Sequence, residues 1–100
     1  MDEEQRIKWL SDQAIALKEK HNKDGYGGQV KACKIIGVSR TTYNNWENGV
    51  DPAKVNGVLL AKLIYALGLK LGETMEMLYP GPKANESLRG VVYMSDRKIA

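Results

Sequence analysis

Apolar side chains recur at helical spacing along most of this 100-residue chain, and breakers cut the pattern into short pieces. The breakers are Asp24-Gly25-Tyr26-Gly27-Gly28, Gly37, Asn48-Gly49-Val50-Asp51-Pro52, Gly68 and Pro80-Gly81-Pro82. Ile7, Leu10, Ala14 and Leu17 form one stripe and predict a first helix over residues 2–22. Asp2, Glu3 and Glu4 suit its positive dipole end, and Lys18, Lys20 and Lys23 its negative end. A second helix is predicted over 29–36 with Ala32, Ile35 and Ile36 inward, and a third over 40–48. A fourth, over 57–67, buries Leu59, Leu60, Leu63, Ile64 and Leu67. Two caps compete for its start, Asn56 and the Asp51-Pro52 pair. A short fifth helix over 72–78 turns Met75 and Leu78 inward. No segment before residue 88 alternates with the period of a strand. The fold class expected is therefore all-α: a five-helix domain over 1–80 and a tail over 81–100.

The tail changes character. Val91, Val92, Tyr93 and Met94 make a β-favouring run between Gly90 and Ser95. A lone strand is not stable in water, so this segment is expected to stay loose or to order on a partner. Composition adds bounds. Apolar residues make up 43% and charged residues 27%, the balance of an ordinary soluble domain. No charge-free run exceeds seven residues, 55–61 among them, against the ~20 needed to cross a bilayer. The acidic start, Met1-Asp2-Glu3-Glu4, is unlike the basic start of a secretory signal. One cysteine, Cys33, allows no intrachain disulfide and no multi-cysteine metal site, and a cytoplasmic setting is expected.

The net charge of +3 says little, but its distribution says more. Residues 1–24 carry five cations and six carboxylates, whereas 25–49 carry Lys31, Lys34 and Arg40 against Glu47 alone. A surface built from the middle of the chain can meet a polyanion without like-charge repulsion.

That middle is also the informative stretch, QVKACKIIGVSRTTYNNWENG over 29–49. Gly37 can take the positive φ that stops the second helix, and Ser39 is a natural N-cap for the third. Val38 before that cap and Tyr43 in the following turn have the spacing of a hydrophobic staple. Ala32 and Cys33 are small enough to let the third helix approach closely. With Tyr43 and Trp46 inward, the outward residues are Arg40, Thr41, Asn44, Asn45 and Asn48. An ordinary solvated helix face mixes Glu and Lys; this one has no carboxylate. Asn amides can pair with adenine N6/N7, Arg with guanine O6/N7, and a Thr methyl can touch that of thymine.

The segment resembles the helix-turn-helix of the Cro/phage-repressor superfamily, the lambda-repressor-like domains. Gln29 opens its first helix, and Gly37-Val38-Ser39-Arg40 reads like the family's turn. Trp46-Glu47-Asn48-Gly49 is similar to the close of its recognition helix. Leu60-Ala61-Lys62-Leu63 and Ala66-Leu67-Gly68 look like its fourth helix. There are departures. Cys33 and Tyr43 stand where Ala and Val or Ile are usual. Gly28 and Lys70 stand where capping Ser or Thr is common, so those helix starts need other partners.

Carried over position by position, the resemblance implies that Arg40 and Thr41 read bases, with Asn44 and Asn45 one turn further on. It implies that Gln29 grips a phosphate at a helix N-terminus. Ser39, Asn48 and Lys54 are further phosphate candidates, and Lys31 and Lys34 add general attraction. The expected function is a sequence-specific duplex-DNA-binding regulator of phage or mobile-element type, most simply a repressor, lodged on the nucleoid. A homodimer on a near-palindromic operator is expected. Met77, Leu78 and Tyr79 exceed what one short helix buries and are its candidate seam, with Val91 and Tyr93 from the tail. No cofactor, metal or catalytic role is expected: His21 has no ligand partners nearby, and the glycines at 25, 27 and 28 precede no phosphate-loop Lys. Two alternatives remain. One is an antitoxin-like adaptor whose segment 87–100 wraps a protein partner. The other is an activator that recruits polymerase through exposed acidic groups such as Glu47 or Asp51.

Overall fold

The computed structural model describes residues 1–22 and 27–80. They form α1 (Glu3–Lys20), α2 (Gly28–Ile36), α3 (Arg40–Asn48), a 3-10 turn (Pro52–Lys54), α4 (Gly57–Ala66) and α5 (Leu71–Leu78). No strand occurs among the described residues, and the fold is all-α. The β-favouring run at 91–94, with the dimer candidates Val91 and Tyr93, lies outside the described residues.

The helix starts follow local chemistry. Asp2 and Gln5 form a capping box on α1: the Asp2 carboxylate accepts from the Gln5 N–H at 2.8 Å, and the Asp2 N–H donates to Gln5 Oε1 at 3.0 Å. The two caps that compete for the fourth helix are both used, on different elements. Asp51 accepts from the Ala53 N–H and starts the 3-10 turn, while Asn56 accepts from the Val58 and Leu59 N–H groups and starts α4. At α2 the missing Ser or Thr is replaced by Asn22, whose Oδ1 accepts from the Gly28 N–H at 3.1 Å. At α5, Lys70 supplies no side-chain cap. At the other end of α4, Lys20 donates to the Ala66 carbonyl at 3.0 Å, a cation on a helix C-terminus.

The core is one cluster drawn from every helix. α1 gives Trp9, Leu10, Ala14 and Leu17; α2 gives Ala32, Cys33 and Ile36; α3 gives Tyr43 and Trp46; α4 gives Leu60, Leu63 and Ile64; α5 gives Leu78. Trp9 joins the stripe read from the sequence, while Ile7 is only half-buried. Two corrections concern inward residues. Ile35, expected inside, is 41% exposed, while Cys33, the small residue at the approach of α3, is buried as expected. α2 packs on α1, α3 and α4 with its inner arc centred on Ala32 and Ile36, and Ile35 lies about 100° round the helix from Ile36. Leu78, expected also as a dimer contact, is fully buried against the chain's own core and has no surface to offer a partner.

Two tight contacts fix the arrangement. Gly28 begins α2 so close to α1 that a Cβ there would stand 2.0 Å from the Lys18 carbonyl oxygen. Arg6 closes the other side: its Nε and Nη2 donate to the two Asp51 carboxylate oxygens at 3.2 Å each. Its Nη1 donates to the Met1 carbonyl at 3.0 Å, and its guanidinium lies 5.0 Å from the Tyr79 ring centroid. Asp51 is thus buried and paired, which corrects its expected role as an exposed acidic group. The Arg6 hydrogen bond, with the Ala53 N–H, holds the Asp51 carboxyl below its ordinary pKa.

These contacts set two expectations. Gly28→Ala should lower unfolding stability by about 1–3 kcal/mol or more, the cost of overpacking against backbone, as read in urea melts; an unchanged midpoint would show that α1 and α2 can separate freely. For Asp51 the folded pKa lies below the unfolded value of about 3.9. Its contribution is therefore full above that value and is lost as the pH falls through the depressed folded-state pKa. Asp51→Asn should be less stable at pH 7 and should lose less stability between pH 5 and pH 2 than the parent chain. Parallel pH profiles would mean the pairing contributes nothing.

Candidate nucleic-acid interface

Ser39 sets the start of α3. Its Oγ accepts from the Thr42 N–H and donates to Thr42 Oγ1, both at 3.1 Å. Gly37 ends α2 at φ 86°, a conformation that favours glycine, and its N–H donates to the Cys33 carbonyl at 2.7 Å. Cys33 Sγ stands 3.8 Å from the Ser39 carbonyl oxygen, so a small side chain does sit at the junction of the two helices. Burial pushes the Cys33 thiol pKa up, away from the reactive thiolate.

The inner side of α3 is locked. Tyr43 is fully buried, Trp46 nearly so, and their rings lie 5.8 Å apart. The Tyr43 hydroxyl donates to the Ala14 carbonyl on α1, and burial raises its pKa far above the usual phenol range. Val38 is partly buried against the same core. The outer side is then fixed by helix geometry. Arg40, Thr41, Asn44, Asn45 and Asn48 are all exposed.

Gln29 ties this face to α2. Its Oε1 accepts from Arg40 Nε at 3.1 Å, and its Nε2 donates to Asn44 Oδ1 and, at 3.3 Å, to Glu47 Oε2. Arg40, Asn44 and Glu47 are the i, i+4 and i+7 positions of α3, one line along its edge. Glu47 in turn accepts from Lys18 Nζ of α1 at 2.9 Å, and its carbonyl accepts from Ser11 Oγ at 2.6 Å. Glu47 is therefore a paired, mostly covered carboxylate, which corrects its expected role as an exposed acidic group. The network brings together Gln29, Arg40 and Asn44, and adds Glu47 and Lys18. Lys18 was legible only as a helix-end cation, because its partner is 29 residues away.

The remaining candidates are placed differently. Thr41, Asn45 and Asn48 share the exposed face of α3 and are not in the Gln29 network. Ser39 is exposed at the cap, and Lys54 is exposed on the 3-10 turn after α3. Lys31 and Lys34 are exposed on α2, about 200° and 140° round the helix from Gln29. They add charge to the molecule and not to the α2–α3 edge. No carboxylate occurs between residues 28 and 46. Two shallow clefts of about 280 and 390 Å³ lie along α1 and α5, share Trp9, and include no residue of α3. Among the described residues no three His, Cys, Asp or Glu gather as a metal site, and no helix is long and apolar enough to cross a membrane. Compared with protein-family models, curated proteins and solved structures, the chain has no match.

Gln29 contacts lie at an exposed edge, so Gln29→Ala should change stability by no more than about 1 kcal/mol. It should still release Arg40 and Asn44. In NMR spectra the Asn44 side-chain amide should shift and the Arg40 Nε–H should exchange with water several-fold faster. Unmoved signals would show that Gln29 holds neither.

Proposed function

We propose that this protein is a sequence-specific, double-stranded-DNA-binding transcriptional regulator that lays α3 in the major groove. The single observation that carries the reading is the outward face of α3. Five exposed amide, hydroxyl and guanidinium side chains stand there without a carboxylate, on a helix whose other side is locked by Tyr43 and Trp46. The resemblance of residues 29–49 to the lambda-repressor-like helix-turn-helix supports it.

In this reading Arg40, Thr41, Asn44 and Asn45 address base edges, and Ser39, Asn48 and Lys54 address phosphates on either side. Gln29 has two tasks. It lies at the N-terminal end of α2, where a phosphate is favoured. It also braces Arg40 through Nε, and among the described residues no bond engages the guanidinium's two terminal nitrogens, which can then meet O6 and N7 of a guanine. DNA is the partner, and no cofactor or metal enters. A homodimer on a near-palindromic site is part of the proposal, with Met77 and Tyr79 as its seam and Leu78 removed from it. Repression by occlusion of polymerase is the simplest activity, on the nucleoid in the cytoplasm. The activator alternative loses both of its named acidic groups, since Asp51 and Glu47 are paired within the chain. The adaptor alternative concerns residues 87–100, outside the described part.

The test begins with selection of bound duplexes from a random oligonucleotide pool. On the selected site, Arg40→Ala should lose about 1–3 kcal/mol, roughly 5- to 150-fold in affinity. It should also relax preference at one base pair. Fluorescence anisotropy would measure both. An equal loss on random DNA would remove the base-reading role, and no duplex binding at low salt would remove the whole proposal.

A further inference from the structure

α4 carries apolar side chains on both of its faces. Leu60, Leu63 and Ile64 are buried in the core. On the opposite side Val58 is 64% exposed and Tyr65 62%, the two most exposed of the large hydrophobic residues described. They stand seven residues apart, about two turns or 10 Å along one line of the helix, with Lys62 between them and exposed Leu69 beyond the helix end. Scattered exposed apolar residues are ordinary. A helix apolar on two opposite sides is the pattern of one covered on both.

The charges on α4 itself and on α2 have one sign. No carboxylate occurs from residue 52 to residue 72, and α2, which packs on α4, has none either. Lys62 Nζ reaches the end of α2, about 4.0 Å from where a Gly37 side chain would begin. A second copy meeting this stripe face to face would set Lys62 against Lys62 with no acid to separate them. Residues 81–100 carry four cations against two carboxylates, the wrong sign to cover it. Duplex DNA has the right sign but no apolar surface on its backbone for Val58 and Tyr65.

We infer that the outward face of α4 is a docking surface for an acidic amphipathic helix of another protein. The partner's apolar residues would lie along Val58 and Tyr65, and a carboxylate would meet Lys62. This is helix-on-helix recognition with anchors at helical spacing. It uses none of the residues assigned to DNA, so it stands or falls apart from that reading.

The test uses the full chain, isotope-labelled, and three probes. One is a blocked helical peptide of Leu and Glu with Leu at i, i+3 and i+4 spacing. The second is the same peptide with Lys for Glu, and the third is a vesicle of phosphatidylglycerol and phosphatidylcholine. The acidic peptide should shift the amide signals of residues 58, 62, 65 and 69, and its Lys counterpart should not. Affinity should fall at least ten-fold in Tyr65→Ser and in Lys62→Glu, and Lys62→Glu should gain affinity for the Lys peptide. The thermal midpoint and selected-DNA binding of Tyr65→Ser should match the parent. Four results would overturn the inference. They are equal shifts with both peptides, vesicle binding lost in Tyr65→Ser, a dimer dissolved by that substitution, or a lowered thermal midpoint in it.

Discussion

Tyr43 is fully buried, with its hydroxyl donating to the Ala14 carbonyl on α1 and its ring against Trp46. A buried phenol needs a partner, since an unsatisfied hydroxyl costs about 1–3 kcal/mol. Tyr43 therefore sets both the depth and the rotation of α3: turning the helix would break the bond and expose the ring. The outward face of α3 is set by that constraint. Arg40, Thr41, Asn44, Asn45 and Asn48 face solvent because Tyr43 and Trp46 do not.

Gln29 adds a second level of order at lower cost. One amide has an acceptor and two donor hydrogens, and here both ends are used: the oxygen toward Arg40, the nitrogen toward Asn44 and Glu47. Each bond lies near water and contributes little to stability. Together they restrict the Arg40 and Asn44 side chains, whose free rotamers each carry about 0.5–1.5 kcal/mol of ordering entropy. The Glu47–Lys18 pair anchors the far end of this line to α1. The Glu47 carboxylate is thus turned to the edge of α3 and paired with a cation.

Much of this was legible from local signals. Ser39, Asn56 and Asp51 announce helix starts, because capping depends on the next few residues alone. The exposed side of α3 could be read because two aromatics fix the opposite side. The misses concern partners distant in sequence. Ile35 falls outside the covered arc of α2 because three helices, and not one, set that arc, and periodicity does not say how wide it is. Asp51 reads as a surface acid until Arg6 arrives from 45 residues away. Leu78 is inward as its spacing says, and it fails only as a dimer contact, because the packing of α5 buries it completely. The acceptor for Gly28 is Asn22, across a stretch of chain with no helical pattern to suggest it.

Arg6 joins Met1, Asp51 and Tyr79, groups from the beginning, middle and end of the helical region. A clasp of this span leaves little scope for one end of the domain to open by itself. Loss of α1 would release the exit of α3 and the end of α5 in the same event, so local and global unfolding converge in free energy. For a domain with so small a core, that coupling makes α3 as durable as the whole molecule and no more so.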